Sequence, residues 1–149
     1  MQLSSIYFIA LLSGVGLAFQ VGINATLAKG LNNPFMAALM SFIVGGVGLA
    51  LIATFIHRPA IPSVHSLQTM PWWVWTGGVL GALYVTSAIV AAPKIGTTQL
   101  VAYVITGQMI ASLILDHYGL LGFEIKSISI GRIIGVFLLI SGTLMIRRF

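Results

Sequence analysis

"FQVGINATLAKGLNNPF", residues 19–35, ends one apolar run and begins another. Only residues 30–33 separate the two runs. Gly30 is predicted as a C-cap, Asn33 as an N-cap and Pro34 as the first residue of the next helix. So short a connection makes the two helices neighbours. The stretch also places two carboxamides, Gln20 and Asn24, one helical turn apart inside the first run, with Ser13 and Gly16 extending the same face. In hydrocarbon an unpaired amide costs several kcal/mol. These residues therefore face protein or water: either they line a compartment, or they hold the bundle together by interhelical hydrogen bonds.

The remainder of the chain fits this reading. Of its 149 residues, 58% are hydrophobic and 6% charged, with a mean hydropathy of +1.08. Soluble domains carry about a quarter charged residues, so an integral membrane protein is expected. The absence of cysteine removes disulfides, thiolate metal sites and cysteine nucleophiles. Net charge is +5, but the bases are single residues apart from Arg147-Arg148 and form no stripe, so nucleic acid is not an expected partner. The N-terminal run lacks a basic leader and a convincing small-residue cleavage site, and is expected to stay as a helix.

A bilayer crossing needs roughly 20 apolar residues. Five segments qualify, at about 5–29, 34–56, 71–92, 97–116 and 129–146. They define an all-α membrane protein with one five-helix domain over 1–149 and termini on opposite sides. The 57–70 connection, with two prolines, is expected to be extended, and Pro93 to end the third span. Trp72, Trp73 and Trp75 read as interfacial anchors. Small residues recur at Gly77 and Gly81, at Gly45, Gly46 and Gly48, and at Gly131, Gly135 and Gly142. They suit close helix packing, within the chain or, for the last set, between two copies.

Polar residues inside the spans mark candidate sites. In the fourth span Gln99, Tyr103 and Thr106 lie within about 60° of one another, and Gln108, Ser112 and Asp116 stack on roughly the opposite face. That span is expected to be central, with one face toward a cavity and the other toward a neighbour. Tyr84, near the middle of the third span, can present its ring and hydroxyl to a solute. Gln20, Asn24, Trp75, Tyr84, Gln99 and Tyr103 are the candidate substrate-binding residues. No carboxylate lies at mid-membrane, which argues against a simple acid-driven antiport. Asp116 is the candidate coupling or structural acid. The three histidines lack ligand spacing, so no metal and no cofactor are expected. Without a nucleophile–base pair at membrane depth, neither is an enzyme.

Basic residues are almost balanced across the membrane. Arg58, Lys126 and Arg132 fall on one side, and Lys29, Lys94, Arg147 and Arg148 on the other. The positive-inside rule acts through an imbalance, so either local context sets one orientation or the chain inserts both ways and pairs as an antiparallel homodimer. Such a pair has the symmetry of an inverted-repeat transporter.

With five spans, "QVGINATLAKGLNNPFMAALMSFIVG" (20–45), "GQMIASLILDHYGLLG" (107–122) and "GRIIGVFLLISG" (131–142), the chain resembles half-size members of the drug/metabolite transporter superfamily, of YdcZ type. The likeness covers essentially the whole chain. It implies a multi-pass protein of a bacterial inner membrane, equivalent to half of a ten-helix transporter and completed by a second copy or an oppositely oriented paralogue. It also implies transport of small organic solutes among membrane lipids. The related small multidrug resistance proteins use a glutamate in the first helix. Here Gln20 and Asn24 stand in that region, which points away from proton-coupled cation export. The expected function is alternating-access transport of a neutral or zwitterionic metabolite. A dual-topology channel and a non-transporting membrane scaffold are the alternatives.

Overall fold

The computed structural model describes residues 3–57 and 63–149. Among the described residues, five helices are long and apolar enough to cross a membrane: Leu3–Leu31, Pro34–Phe55, Trp72–Ile95, Thr97–Tyr118 and Ile130–Arg148. Between 6% and 17% of each span's most apolar window is buried within the chain. Among the described residues, no large side chain is fully enclosed. Helices that are apolar on every side and so little buried require lipid, or another protein surface, as their solvent.

The chain divides into two compact units, Met1–Pro93 and Lys94–Phe149. The first contains α1 (Leu3–Leu31), α2 (Pro34–Ile52), a short α3 (Val64–Gln68) and most of α4 (Thr76–Ile95). α1 passes Gly30 and ends one residue later. Asn32 takes the left-handed conformation at φ 50°, which asparagine tolerates through its short polar side chain. Two crossed backbone bonds close the end, from Asn33 N–H to the Ala28 carbonyl at 3.2 Å and from Asn32 N–H to the Lys29 carbonyl at 3.3 Å. The predicted cap at Asn33 forms: its side chain accepts from Phe35 and Met36 N–H at 2.9 and 3.1 Å, with Pro34 beside it.

α2 loosens into a π-helical turn over Ala53–His57. Residues 58–62, including Arg58 and both prolines of that connection, lie outside the described residues. Beyond them the expected extended segment contains a helical turn instead, because the Ser63 hydroxyl caps α3 by accepting from Ser66 N–H. Trp72–Trp75 form a 3-10 turn leading into α4, and all three tryptophans are exposed. α4 continues through Pro93 to Ile95. The ring removes one hydrogen bond in the last turn, and the helix stops at Gly96, whose φ of 83° suits glycine.

The core of this unit is small: Ala37 and Ala38 of α2 against Val85 and Ile89 of α4, flanked by Leu27, Ala28 and Tyr84. The Phe42 ring lies beside Gly81, at ordinary contact distance (3.4 Å) from where a Cβ would stand.

The second unit is a hairpin of α5 (Thr97–Tyr118) and α6 (Ile130–Arg148). Polar clasps join its helices at three levels. Near the chain end, the Gln99 Nε2 donates to the Arg147 carbonyl at 3.4 Å. Midway, the Thr106 and Thr143 hydroxyls share a bond of 2.8 Å, and Thr143 also reaches the Ala102 carbonyl at 3.3 Å. At the loop end, Arg132 Nη1 meets Asp116 Oδ2 at 3.4 Å and the Lys126 carbonyl at 3.2 Å. The loop leaves α5 through Gly119, in the left-handed region at φ 59°, and Lys126 N–H returns to the Asp116 carbonyl at 2.8 Å. A Cβ at Gly119 would lie 2.7 Å from Ile125 Cγ1 and 3.2 Å from the Phe123 carbonyl. Gly119→Ala should therefore destabilise the hairpin by at least the left-handed penalty of about 1–2 kcal/mol, read as a lower denaturant midpoint.

Candidate functional site

Three of the six candidate solute-binding residues meet in the first unit. Gln20 and Asn24 of α1 border a narrow crevice with Tyr84 of α4, and Val21, Val85, Ala88 and Ile89 complete its walls. The local reason is register. Gln20 and Asn24 are one turn apart on α1, and Val21 with Asn24 forms the buried face of that helix. On α4, Tyr84, Ala88 and the neighbouring Val85 and Ile89 repeat at three- and four-residue intervals, so one face of α4 meets one face of α1.

Within the crevice the two carboxamides differ. Gln20 is exposed, whereas Asn24 is only 4% exposed. No polar side-chain atom among the described residues is both fully enclosed and unpartnered. The Asn24 carboxamide makes no hydrogen bond with another described residue, and Asn24 is one of the residues that line the crevice. It is thus an amide withdrawn from lipid, with its hydrogen-bonding capacity unspent and the Tyr84 side chain on the same crevice. The crevice is lined by no charged side chain, and it is too narrow to admit a water-sized sphere.

The other three candidates lie elsewhere. Trp75 is 56% exposed in the 3-10 turn before α4. Gln99 is half-buried and bound to the Arg147 carbonyl, so part of its capacity goes to holding α5 against α6. Tyr103 is 40% exposed on α5. Of the face shared by Gln99, Tyr103 and Thr106, the first and last engage α6, and Tyr103 sits at its open edge. Asp116, the remaining candidate, is one-third exposed and paired with Arg132.

The clasp residues Arg132 and Thr143 are absent from the candidates chosen by sequence. Opposite charges at the facing ends of consecutive spans signalled the first, and a hydroxyl deep in the last span the second. Among the described residues no three metal-ligating side chains gather. The crevice sets amide and phenol groups beside apolar walls.

The family described as "Putative inner membrane exporter, YdcZ" matches residues 5–145. The chain is 25% identical over 136 residues to inner membrane protein YdcZ of Escherichia coli strain K12, which covers 91% of this chain and 90% of that protein. No solved structure matches.

Proposed function

This chain belongs to the YdcZ family of the drug/metabolite transporter group, a multi-pass inner membrane protein, and from that premise we propose that it exports a small neutral or zwitterionic organic solute bound at Asn24. The single observation that carries this reading is the Asn24 side chain, nearly buried, without a hydrogen bond to another described residue and lining the crevice shared with Gln20 and Tyr84. An amide in that setting gains by binding a solute donor or acceptor and loses by facing lipid. An uncharged lining leaves no counter-ion for a lipophilic cation.

The crevice of one copy is too tight for a solute, so the reading requires a wider compartment. A second copy in the opposite orientation supplies it, placing two Asn24 sites about one axis and letting the pair rock between inward- and outward-open forms. The near-equal distribution of basic residues supports insertion both ways. Trp75, Gln99 and Tyr103 are the further side chains proposed to reach the solute in that assembly. The protein acts as a transporter without bond chemistry, and therefore not as an enzyme.

Two measurements test this together. Because the chain has no cysteine, a single cysteine placed at either terminus reports topology without background. Each variant should be labelled by an impermeant thiol reagent from both faces of the membrane, in comparable amounts. Purified protein in liposomes should also show saturable counterflow of an uncharged or zwitterionic solute. One-sided labelling removes the antiparallel homodimer and leaves an oppositely oriented paralogue as the completing partner. Flux that rises linearly with concentration indicates a pore.

A further inference from the structure

We propose that the α5–α6 hairpin holds a zwitterionic phospholipid, with its ammonium on Asp116, its phosphate on Arg132 and one acyl chain in the groove beneath them. This site lies wholly within residues 94–149 and is independent of the Asn24 crevice.

The hairpin is closed midway by the Thr106–Thr143 bond and at the loop end by the Asp116–Arg132 pair. Between those clasps the helices part, leaving a half-open cavity of about 230 Å³. Met109, Leu113, Val136 and Leu139 make its walls apolar, while Ser112, Asp116 and Arg132 make one end polar. Gly135 contributes to the opening, since nothing stands within 4 Å of where its Cβ would be. A space of this size at membrane depth, with such walls, takes hydrocarbon in preference to water.

The polar end selects the head. Charge-assisted bonds between guanidinium and carboxylate are normally about 2.7–2.9 Å, yet this pair stands at 3.4 Å with both side chains about one-third exposed. Arg132 makes both of its side-chain contacts through Nη1, and Asp116 makes its ion pair through Oδ2 alone. The other guanidinium nitrogens and Asp116 Oδ1 are left to meet an incoming group. An anionic head satisfies Arg132 but is repelled by Asp116, and a cationic head meets the converse. A head carrying both charges complements both residues at once.

Depth agrees with charge. The 22 residues of α5 extend about 33 Å, close to the roughly 30 Å hydrocarbon thickness. Asp116, in the last turn, therefore lies at headgroup level, and Met109, two turns back, at acyl-chain level.

Native mass spectrometry of the detergent-purified protein, supplied with equal amounts of phosphoethanolamine-headed and anionic phosphoglycerol-headed lipid, should show at least a fivefold preference for the first. Gly135→Leu, which fills the groove while both charged residues are kept, should abolish that preference. Equal retention of the two lipids by the wild type, or an unchanged preference in the variant, overturns the proposal. Should the variant fold poorly, the wild-type protein decides alone. A phosphoethanolamine-headed lipid with a photoreactive acyl chain should mark Met109, Leu113 and Leu139. Adducts spread evenly over the outer faces of α1 and α6, or crosslinks from these positions to a second copy, overturn it equally.

Discussion

Asn24→Leu should remove at least nine-tenths of solute flux while leaving the protein as stable as the wild type, or more so. The two halves of that expectation come from the same bond count. In the wild type the Asn24 carboxamide is nearly buried and forms no hydrogen bond with another described residue, so the resting fold bears its desolvation without compensation from them. Leucine has similar bulk and no polar atoms, and the crevice walls of Val21, Val85, Ala88 and Ile89 accept it. Solute, however, loses its most deeply placed partner. One buried hydrogen bond amounts to about 1–1.5 kcal/mol, or roughly tenfold in affinity. Counterflow in liposomes gives the flux, and a denaturant titration of the same preparation gives the stability. A helix-holding role for Asn24 predicts the reverse pairing, with lower stability and near-normal flux per folded molecule.

The second large effect is expected at Arg132. Replacing it with alanine removes its bonds to Asp116 and to the Lys126 carbonyl and leaves Asp116 alone where α5 meets the hydrocarbon. Charged hydrogen bonds contribute about 1.5–3 kcal/mol. With both groups a third exposed, solvent screening reduces this to about 1 kcal/mol. Asp116→Asn should cost roughly half as much, because the amide still accepts from the guanidinium. The same pair of variants separates clasp from coupling. If Asp116 serves the hairpin, Asp116→Asn keeps solute-driven counterflow and its response to an imposed pH gradient unchanged. Loss of that response, with flux otherwise intact, would identify Asp116 as a proton carrier.

The spans were legible because hydrocarbon imposes its thickness on a sequence directly, and five apolar runs of the required length leave little choice of architecture. The turn between α1 and α2 was half legible. Asn33 and Pro34 declared the start of α2, but the residue that reverses the chain is Asn32 rather than Gly30, since the helix closes its last carbonyls one residue further on. Pro93 was expected as a stop. It falls in the final turn, where a single missing donor is tolerated. In the site, Gln20 and Asn24 were paired by their spacing on one helix. That Asn24 is the enclosed member, and that Tyr84 joins it, depends on how α4 packs, which periodicity does not encode. The polar face of α5 illustrates the same limit. Spacing grouped Gln99 with Thr106, but whether such a face meets a solute or a neighbouring helix is decided by the partner, here the Arg147 carbonyl and Thr143.

The absence of any large, fully enclosed side chain among the described residues has a practical consequence for purification. A protein whose buried apolar residues are few and mostly alanine and valine holds little cohesion of its own, and most of its apolar surface is satisfied by whatever amphiphile surrounds it. Its apparent robustness after extraction should therefore follow the micelle more than the mutation, improving with longer-chain detergents and collapsing in short-chain ones. Comparisons between variants are sound only at a fixed ratio of detergent to protein.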